Sequence, residues 1–162
     1  MNNFFKYITL FSVTFSSSIY ADVIEDLILP EGFKISIYAE NIKSARQIAE
    51  SKDGNIFVGS KSGDSVMALI DSDNDNYAET KITVASGLSN PTGVALKNGD
   101  LYFSEIDKIW IIKNIDEYMQ SGAYEDLPLK EIYTDQLPSD SWHGWKWLGF
   151  GPDNSLYVPV GA

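Results

Sequence analysis

Three segments of the chain decide its fold: RQIAESKDGNIFVGS (residues 46–60), PTGVALKNGDLYFSE (91–105) and KWLGFGPDNSLYVPV (146–160). Each begins with a short apolar run, passes through a polar turn and ends in a stretch of alternating apolar residues. The turns are Asp53-Gly54, Asn98-Gly99 and Asp153-Asn154. A polar turn between two apolar runs is typical of a β-hairpin. The sequence therefore predicts three related hairpins.

The spacing of these turns indicates a repeat architecture. They recur at Asp53, Asn98 and Asp153, so successive turns are 45 and 55 residues apart. The four-stranded blades of β-propellers repeat about every 40–50 residues. Further strand candidates lie between the hairpins: VMALI (66–70), KITVAS (81–86), IWIIK (109–113) and KEIYT (130–134). We therefore expect an all-β fold of the β-propeller type, with about the first three blades present.

Two details complete the expected architecture. The segment NIDEYMQSG (114–122) predicts one helix between the outer strands of the second blade, with Asn114 as N-cap and Gly122 as its stop. A β-sandwich is the alternative, because short strands with regular turns also occur there. The match of turn, aromatic residue and preceding apolar run in all three segments favours the propeller.

The N-terminus has the pattern of a secretory signal peptide. Residues 1–21, MNNFFKYITLFSVTFSSSIYA, contain one positive charge, a short apolar stretch and small residues before Ala21. The apolar stretch is too short to span a membrane. We expect cleavage after Ala21, residues 22–162 as the N-terminal portion of the mature propeller, and a periplasmic location. A buried N-terminal strand or helix is the alternative.

Charge and cysteine content exclude some classes of function. The chain has 12 basic and 23 acidic residues, a net charge of −11, so its surface repels phosphate backbones and nucleic-acid binding is not expected. It has no cysteine, which excludes disulfides and thiolate metal sites. No stretch after the leader is long and apolar enough to predict a transmembrane helix.

The segment SWHGWKW (141–147) contains the only histidine of the sequence, His143. Histidine exchanges protons near neutral pH and is the commonest general base. The segment precedes the innermost strand of the third blade, a position that in propellers lies at one mouth of the central channel. Trp142, Trp145 and Trp147 could form flat apolar walls there. A hydrogen-bonded structural histidine is the alternative, and the residues alone leave both open.

Three longer stretches resemble the N-terminal part of the glucose/sorbosone dehydrogenase family. They are LPEGFKISIYAENIKSARQIAESKDGNIFVGS (29–60), GLSNPTGVALKNGDLYFSEIDKIW (87–110) and LPSDSWHGWKWLGFGPDNSLYVPVGA (137–162). The resemblance runs from Leu29 to Ala162, and its most specific element is HGW followed by FGPD and LYVPVGA.

This resemblance implies a six-bladed propeller that uses pyrroloquinoline quinone (PQQ). Family members oxidise an alcohol or hemiacetal carbon of a sugar or sugar-derived aldehyde. A histidine removes the hydroxyl proton while hydride passes to the quinone, and His143 occupies the matching position. The resemblance thus implies His143 as catalytic base and PQQ contact, a sugar-type substrate and an electron acceptor as partner.

The chain departs from the family pattern at two positions. Trp142 stands where many members carry a first histidine, and Ala162 follows Gly161 where the glucose-oxidising branch commonly has an acidic residue. The second departure favours the sorbosone-type branch. The basic and polar residues that hold the carboxylates of PQQ come from later blades in the family, so most cofactor contacts are expected beyond Ala162.

The stretch DSDNDNYAE predicts a structural calcium site formed by Asp71, Asp73, Asp75 and Glu79. Carboxylates at positions one, three and five of a tight loop resemble the start of an EF-hand loop. Asn76 replaces the usual glycine, although asparagine tolerates the same left-handed conformation. Ile82 replaces the closing glutamate. The alternative is a solvated acidic turn between two strands.

Other functions and assemblies stay open from sequence. Arg46 and Asn90 precede inner strands and are candidates for lining the channel mouth, while Tyr102 and Tyr157 are expected to pack between blades. A non-catalytic propeller binding carbohydrate or protein is the main alternative function, and a lactone hydrolase with a channel-centred metal is a third. The chain looks C-terminally truncated relative to a closed ring. If it ended at Ala162, two half-rings would be expected to self-associate.

Overall fold

The computed structural model describes residue 24, residues 26–122 and residues 124–161. The signal peptide predicted over residues 1–21 lies outside the described residues. The chain divides into two units, Met1–Ser36 and Ile37–Ala162. In the first unit, Leu27 N donates to Ile24 O and Phe33 N donates to Pro30 O, so its described residues form turns. All strands, and the helix that follows β7, belong to the second unit.

In the part of the chain that the structure describes, ten strands form three antiparallel sheets. The first sheet contains β1 (Ala45–Glu50), β2 (Ile56–Ser60), β3 (Val66–Ile70) and β4 (Thr80–Ala85); the second contains β5 (Val94–Lys97), β6 (Asp100–Ser104), β7 (Ile109–Ile112) and β8 (Glu131–Thr134); the third contains β9 (Gly149–Phe150) and β10 (Leu156–Tyr157). In each sheet every strand pairs with the next strand along the chain. This is the order expected for successive propeller blades.

The predicted hairpin turns form where expected because their residues tolerate a left-handed backbone. Asn98 and Gly99 have φ angles of 53° and 85°, as a two-residue type I′ turn requires. Gly54 and Asn154 have φ angles of 84° and 67°. The turn fixes the register, so Lys97 pairs with Asp100 and Val94 with Phe103.

Apolar side chains pack between neighbouring sheets. One buried cluster combines Phe57 and Val66 of the first sheet with Leu101 and Phe103 of the second. Another combines Ala95 and Ile109 of the second sheet with Leu148, directly before β9. The first strands adjoin, since β1 contacts β5 and β5 contacts β9. The all-β expectation is thus confirmed for the described residues, while a closed ring stays a prediction.

The helix α1 (Ile115–Ser121) lies between β7 and β8, as predicted, and buries Ile115 and Met119. Both flanking residues are left-handed, Asn114 at φ 54° and Gly122 at φ 69°. The Asn114 side chain makes no capping hydrogen bond. Asparagine is suited to this position because it tolerates the left-handed backbone. No helix in the described part of the chain combines the length and apolar character that crossing a membrane requires.

One of the two tyrosines expected between blades packs between two of the described sheets. The Tyr102 ring packs edge-on against Phe150 of β9, with centroids 5.0 Å apart. The prediction for Tyr157 stays a prediction: the residue is 55% exposed on the opposite face of the third sheet, and its hydroxyl donates to Asp153 Oδ2 at 3.2 Å. Successive side chains of a strand point to opposite faces, and Leu156 takes the packed face of β10.

Candidate functional site

A cavity of about 430 Å³ lies where the first strands of the three sheets begin. Its wall combines residues from all three repeats: Arg46, Gln47, Thr92, His143, Trp145, Trp147, Pro159 and Gly161. The histidine predicted to lie at a channel mouth is therefore in a concave site shared by the three repeats. Such a site can enclose part of a small ligand.

Aromatic rings hold the imidazole of His143. Trp142 stacks on it with centroids 5.0 Å apart and planes inclined by 29°, while Trp145 meets it edge-on at 5.8 Å. The Lys61 ammonium lies 4.3 Å from the centroid of the Trp145 ring, in cation–π geometry. Trp142 itself is 80% exposed. The expected indole walls are thus present around His143.

The backbone around His143 is tightly turned. His143 has a φ of 56°, a conformation uncommon for a residue other than glycine. Gly144 follows it, and a Cβ atom there would collide with the Asp140 carbonyl oxygen. A Cβ on Gly161 would lie 2.8 Å from the carbonyl oxygen of His143. Glycine at both positions therefore lets the His143 loop and the end of the third hairpin approach closely.

Gln47 is a site residue that the sequence analysis missed. Side chains of β1 alternate between its two faces, so Gln47 is 9% exposed on the packed face and the next residue, Ile48, is 65% exposed. Gln47 Nε2 donates to Leu148 O at 2.7 Å, and its Oε1 accepts from Leu148 N at 3.0 Å. The signal in the sequence was a glutamine between Arg46 and an apolar run, at the start of an inner strand.

Lys146 was also missed, and its side chain is only 1% exposed. Its Nζ donates to the Gly144 carbonyl, two residues back in the His143 loop. Burial lowers the pKa of the Lys146 ammonium, and the carboxylates of Asp107 and Asp140 oppose this effect. The Lys146 carbonyl accepts from Ser104 Oγ of β6 at 3.3 Å. Lys146 thus joins the loop that contains His143 to the second sheet.

Of the two residues expected at the channel mouth, Arg46 lines the cavity and its side chain is exposed. Asn90 is not among the lining residues, and Thr92 takes its place. Asn90 adopts a left-handed φ of 50°, and its carbonyl accepts from Thr92 N at 2.7 Å. Its role is therefore to shape the turn that leads into β5.

The four acidic residues of the predicted calcium site converge in the β3–β4 turn. Each of Asp71, Asp73, Asp75 and Glu79 offers an oxygen within 4.8 Å of the others. Asn76 adopts the anticipated left-handed conformation, with φ 72°. Some of these oxygens already accept backbone N–H groups of the same turn, such as Asp71 Oδ2 from Asn76 N at 2.9 Å. Calcium binding here stays a prediction.

Electrostatics in this turn reflect both like charges and hydrogen bonds. Desolvation and the neighbouring Asp75 carboxylate raise the pKa of Asp73. Hydrogen bonds from Ser72 lower the pKa of Glu79, whose Oε2 accepts from both the N–H and the hydroxyl of Ser72 at 3.2 Å. The turn is therefore preorganised with its carboxylates close together, which is a geometry that a hard cation could use.

No protein-family model matches the chain. A protein of Borreliella burgdorferi, described only as uncharacterized, is 29% identical over 169 residues, which cover all of this chain and 43% of that protein. The chain thus spans about two fifths of the length of this curated relative.

Solved structures share the fold, and two of them illustrate the likeness. One is a Carbohydrate-Active Enzymes family AA12 protein from Trichoderma reesei, 17% identical with a TM-score of 0.66, matched over 83% of this chain and 34% of that one. The other is the holo form of the pyranose dehydrogenase PQQ domain from Coprinopsis cinerea, 13% identical with a TM-score of 0.61, over 75% and 28% of the two chains. At these identities the likeness is one of fold.

Proposed function

We propose that this chain forms the first blades of a PQQ-dependent dehydrogenase that oxidises a sugar or a sugar-derived aldehyde or alcohol, in the manner of the sorbosone-type branch. The observation that supports this most is His143 in the wall of a cavity bordered by three repeats. The shared fold with a pyranose dehydrogenase PQQ domain agrees with it. The whole propeller would have six blades.

In the proposed reaction His143 is the general base. An imidazole nitrogen accepts the proton of the substrate hydroxyl, the C–H bond at the same carbon breaks with loss of hydride, and a carbonyl group forms. PQQ supplies the acceptor for that hydride when it is bound. Trp142 and Trp145 fix the plane of the imidazole through the ring contacts described above, so the base is oriented before substrate arrives.

The residues present fit one part of PQQ. The Arg46 guanidinium is a suitable partner for one of its carboxylates, and Trp145 and Trp147 offer flat apolar surfaces for its ring system. These contacts would supplement those expected from later blades. The hydroxyl of Thr92 would provide a hydrogen-bonding group at the same wall.

We also propose that the protein is exported to the periplasm after loss of residues 1–21, and that it passes its electrons to a separate acceptor. The leader pattern supports export. The acidic surface, with a net charge of −11 for the whole chain, would favour an acceptor with a basic docking face.

The test is the replacement of His143 in the full-length protein supplied with PQQ. His143→Gln should lower kcat for the best sugar substrate by about 10²–10⁴-fold, because a general base contributes that much. Substrate deuterated at the reacting carbon should slow the unmodified enzyme. Lys113→Gln is the control, since Lys113 forms only an exposed ion pair with Glu131 at 3.2 Å among the described contacts. Unchanged kcat in His143→Gln would contradict the proposed role.

A carbohydrate-binding protein without turnover is the second candidate, and the exposed Trp142 ring favours it, because exposed indoles commonly stack on sugar rings. Calorimetry with the same sugars distinguishes the two. Sugar binding that Trp142→Ala abolishes, together with no reduction of a dye acceptor in the presence of PQQ, would replace the dehydrogenase proposal with this one.

A further inference from the structure

The side chain of Gln47 joins the inner strands of all three repeats. Its Oε1 accepts from Val94 N at 3.3 Å and from Leu148 N at 3.0 Å, and its Nε2 donates to Leu148 O at 2.7 Å. Val94 begins β5, and Leu148 directly precedes β9. The contacts to Leu148 connect residues 101 positions apart in the chain.

These contacts require a side chain that carries one acceptor atom and one donor atom, as an amide does. The N–H groups of Val94 and Leu148 point at Oε1 of Gln47, and the carbonyl oxygen of Leu148 faces its Nε2. Only one orientation of the amide therefore satisfies all three hydrogen bonds. The N–H and C=O of Leu148 both pair with it, as they would with a neighbouring strand. Leu148 is buried, and without Gln47 these two groups would be left unpaired.

The same side chain lies in the wall of the cavity that contains His143. Leu148 follows His143 by five residues, and the segment between them contains Trp145, which meets the imidazole edge-on. Fixing Leu148 against β1 and β5 therefore fixes one end of the segment that carries the histidine.

We propose that Gln47 is a positioning residue for His143: its amide binds the backbone of the third repeat to the first two and so sets where the imidazole lies in the shared cavity. The residue acts through Leu148 and needs no contact with substrate. The consequence for turnover rests on the proposed function, whereas the position of the imidazole does not.

NMR spectroscopy of the full chain tests this directly. The His143 ring signals, assigned by their loss in His143→Gln, are displaced by the ring currents of Trp142 and Trp145 and report small movements. In the unmodified protein, the Leu148 amide should exchange slowly with solvent. Gln47→Leu should shift the His143 ring signals and lose the protection of the Leu148 amide. Gln47→Glu, whose buried protonated carboxyl keeps a donor and an acceptor, should restore most of both.

Gln120→Leu is the matched control, because Gln120 also donates through its amide, to Asp53 Oδ2 at 2.6 Å, but from an exposed position on α1. It should leave the His143 signals unchanged. Where the enzyme turns over, Gln47→Leu should lower kcat by about 10–100-fold with little change in KM, as expected for a displaced base.

Two results would overturn the proposal. One is rapid exchange of the Leu148 amide in the unmodified protein, which needs no variant. The other is an unchanged His143 signal in a folded Gln47→Leu protein. If Gln47→Leu does not fold, Gln47→Asn decides, because its amide is one methylene too short to keep all three contacts: displaced His143 signals support the proposal, and unchanged signals in the folded protein contradict it. Absence of sugar turnover with these NMR results intact would count against the proposed function alone.

Discussion

Asp116, on the first turn of α1, is a buried carboxyl whose Oδ1 has no hydrogen-bond partner among the described residues. Its backbone N–H donates to Gly99 O at 3.2 Å, which places the side chain at the turn between β5 and β6. Burial raises the pKa of Asp116; the carboxylates of Asp53 and Asp100 add to this effect, and the Lys52 ammonium opposes it. Ionisation of this group is therefore unfavourable in the folded protein.

The buried Asp116 carboxyl should make the stability of the protein depend on pH. A carboxyl with a raised folded-state pKa binds more protons folded than unfolded between about pH 3.9 and that pKa, so the free energy of unfolding falls as pH rises through this window. Asp116→Asn should remove this fall and be more stable than the unmodified protein at neutral pH, by about 1 kcal/mol. Urea unfolding from pH 4 to 7 measures it. Glu117→Gln, on the same turn but exposed, is the control; parallel curves for Asp116→Asn and the unmodified protein would contradict the explanation.

Residues differ in how far their roles could be predicted from sequence. The position of His143 in a concave site was predictable, because its aromatic neighbours and its place before a hairpin pointed to one mouth of the fold. Its catalytic role stays a prediction. Gln47 and Lys146 were not, because polar residues are ordinarily exposed. The buried Gln47 amide pairs with backbone groups distant in sequence, and the buried Lys146 ammonium donates to the nearby Gly144 carbonyl. The inward position of Gln47 and the outward position of Ile48 also go against the usual preference of polar and apolar side chains.

At the scale of elements, the β3–β4 turn is organised by its own side chains. Asp75 N donates to Asp71 Oδ1 and to Asp73 Oδ1, both at 3.2 Å, and Tyr77 N donates to Asp75 Oδ1 at 2.8 Å. Left-handed Asn74 and Asn76 make this folding possible. The turn therefore gathers four carboxylates whose mutual repulsion a cation would relieve.

We expect calcium to stabilise the protein through this turn. A ligand that binds only the folded state stabilises it by about 2.7 kcal/mol at 100 times its Kd, so the melting temperature should rise with calcium and fall again on addition of a chelator. Asp73→Asn combined with Asp75→Asn should abolish the rise. Asp135→Asn, after β8, should not. A melting temperature that is the same with millimolar calcium and with chelator would show a solvated acidic turn.

The elements themselves were largely predictable, because turn chemistry and alternation act over a few residues. The predicted strands at 66–70, 81–86, 109–113 and 130–134 correspond to β3, β4, β7 and β8, and the helix forms at its predicted place. The third hairpin is less regular than its sequence suggests, since β9 and β10 contain two residues each. Its flanking residues instead pair with side chains of the other repeats, as Leu148 does with Gln47.

At the scale of the whole molecule, the close packing of the second and third repeats depends on Gly93, the residue directly before β5. A Cβ at this position would lie 2.5 Å from Lys146 O and 2.9 Å from both Leu148 Cγ and Ser104 Oγ. The glycine thus lets the third repeat pack against the second. The apolar cluster around Ala95, Ile109 and Leu148 completes the contact.

Gly93→Ala should separate these repeats. Overpacking of this kind costs about 1–3 kcal/mol, so the melting temperature should fall. Three of the four tryptophans, Trp142, Trp145 and Trp147, belong to the third repeat, and their fluorescence should change at lower denaturant than the circular dichroism of the strands. Ser86→Ala, in an exposed turn, is the control. Coincident transitions with unchanged stability would show that the close approach at Gly93 is dispensable.

The side-by-side arrangement of the sheets was predictable from the 45- and 55-residue spacing, because blades that follow one another along the chain bury their faces against each other. The polar contacts that align the three inner strands were not. They depend on single atoms of Gln47 and Ser104 that meet backbone groups of another repeat. The periodicity of the sequence predicts which faces of the strands are apolar, but it does not predict individual polar contacts of this kind.

The 101-residue separation of Gln47 and Leu148 has a consequence for the order of events during synthesis. At about 5–20 residues per second, the ribosome adds Leu148 about 5–20 s after Gln47. During that interval the first two sheets are completed and can pack, while the glutamine amide has only Val94 and water to bind. The wall of the cavity that contains His143 is therefore assembled only after the first two sheets have been made, and Leu148 then joins strands that were already in place.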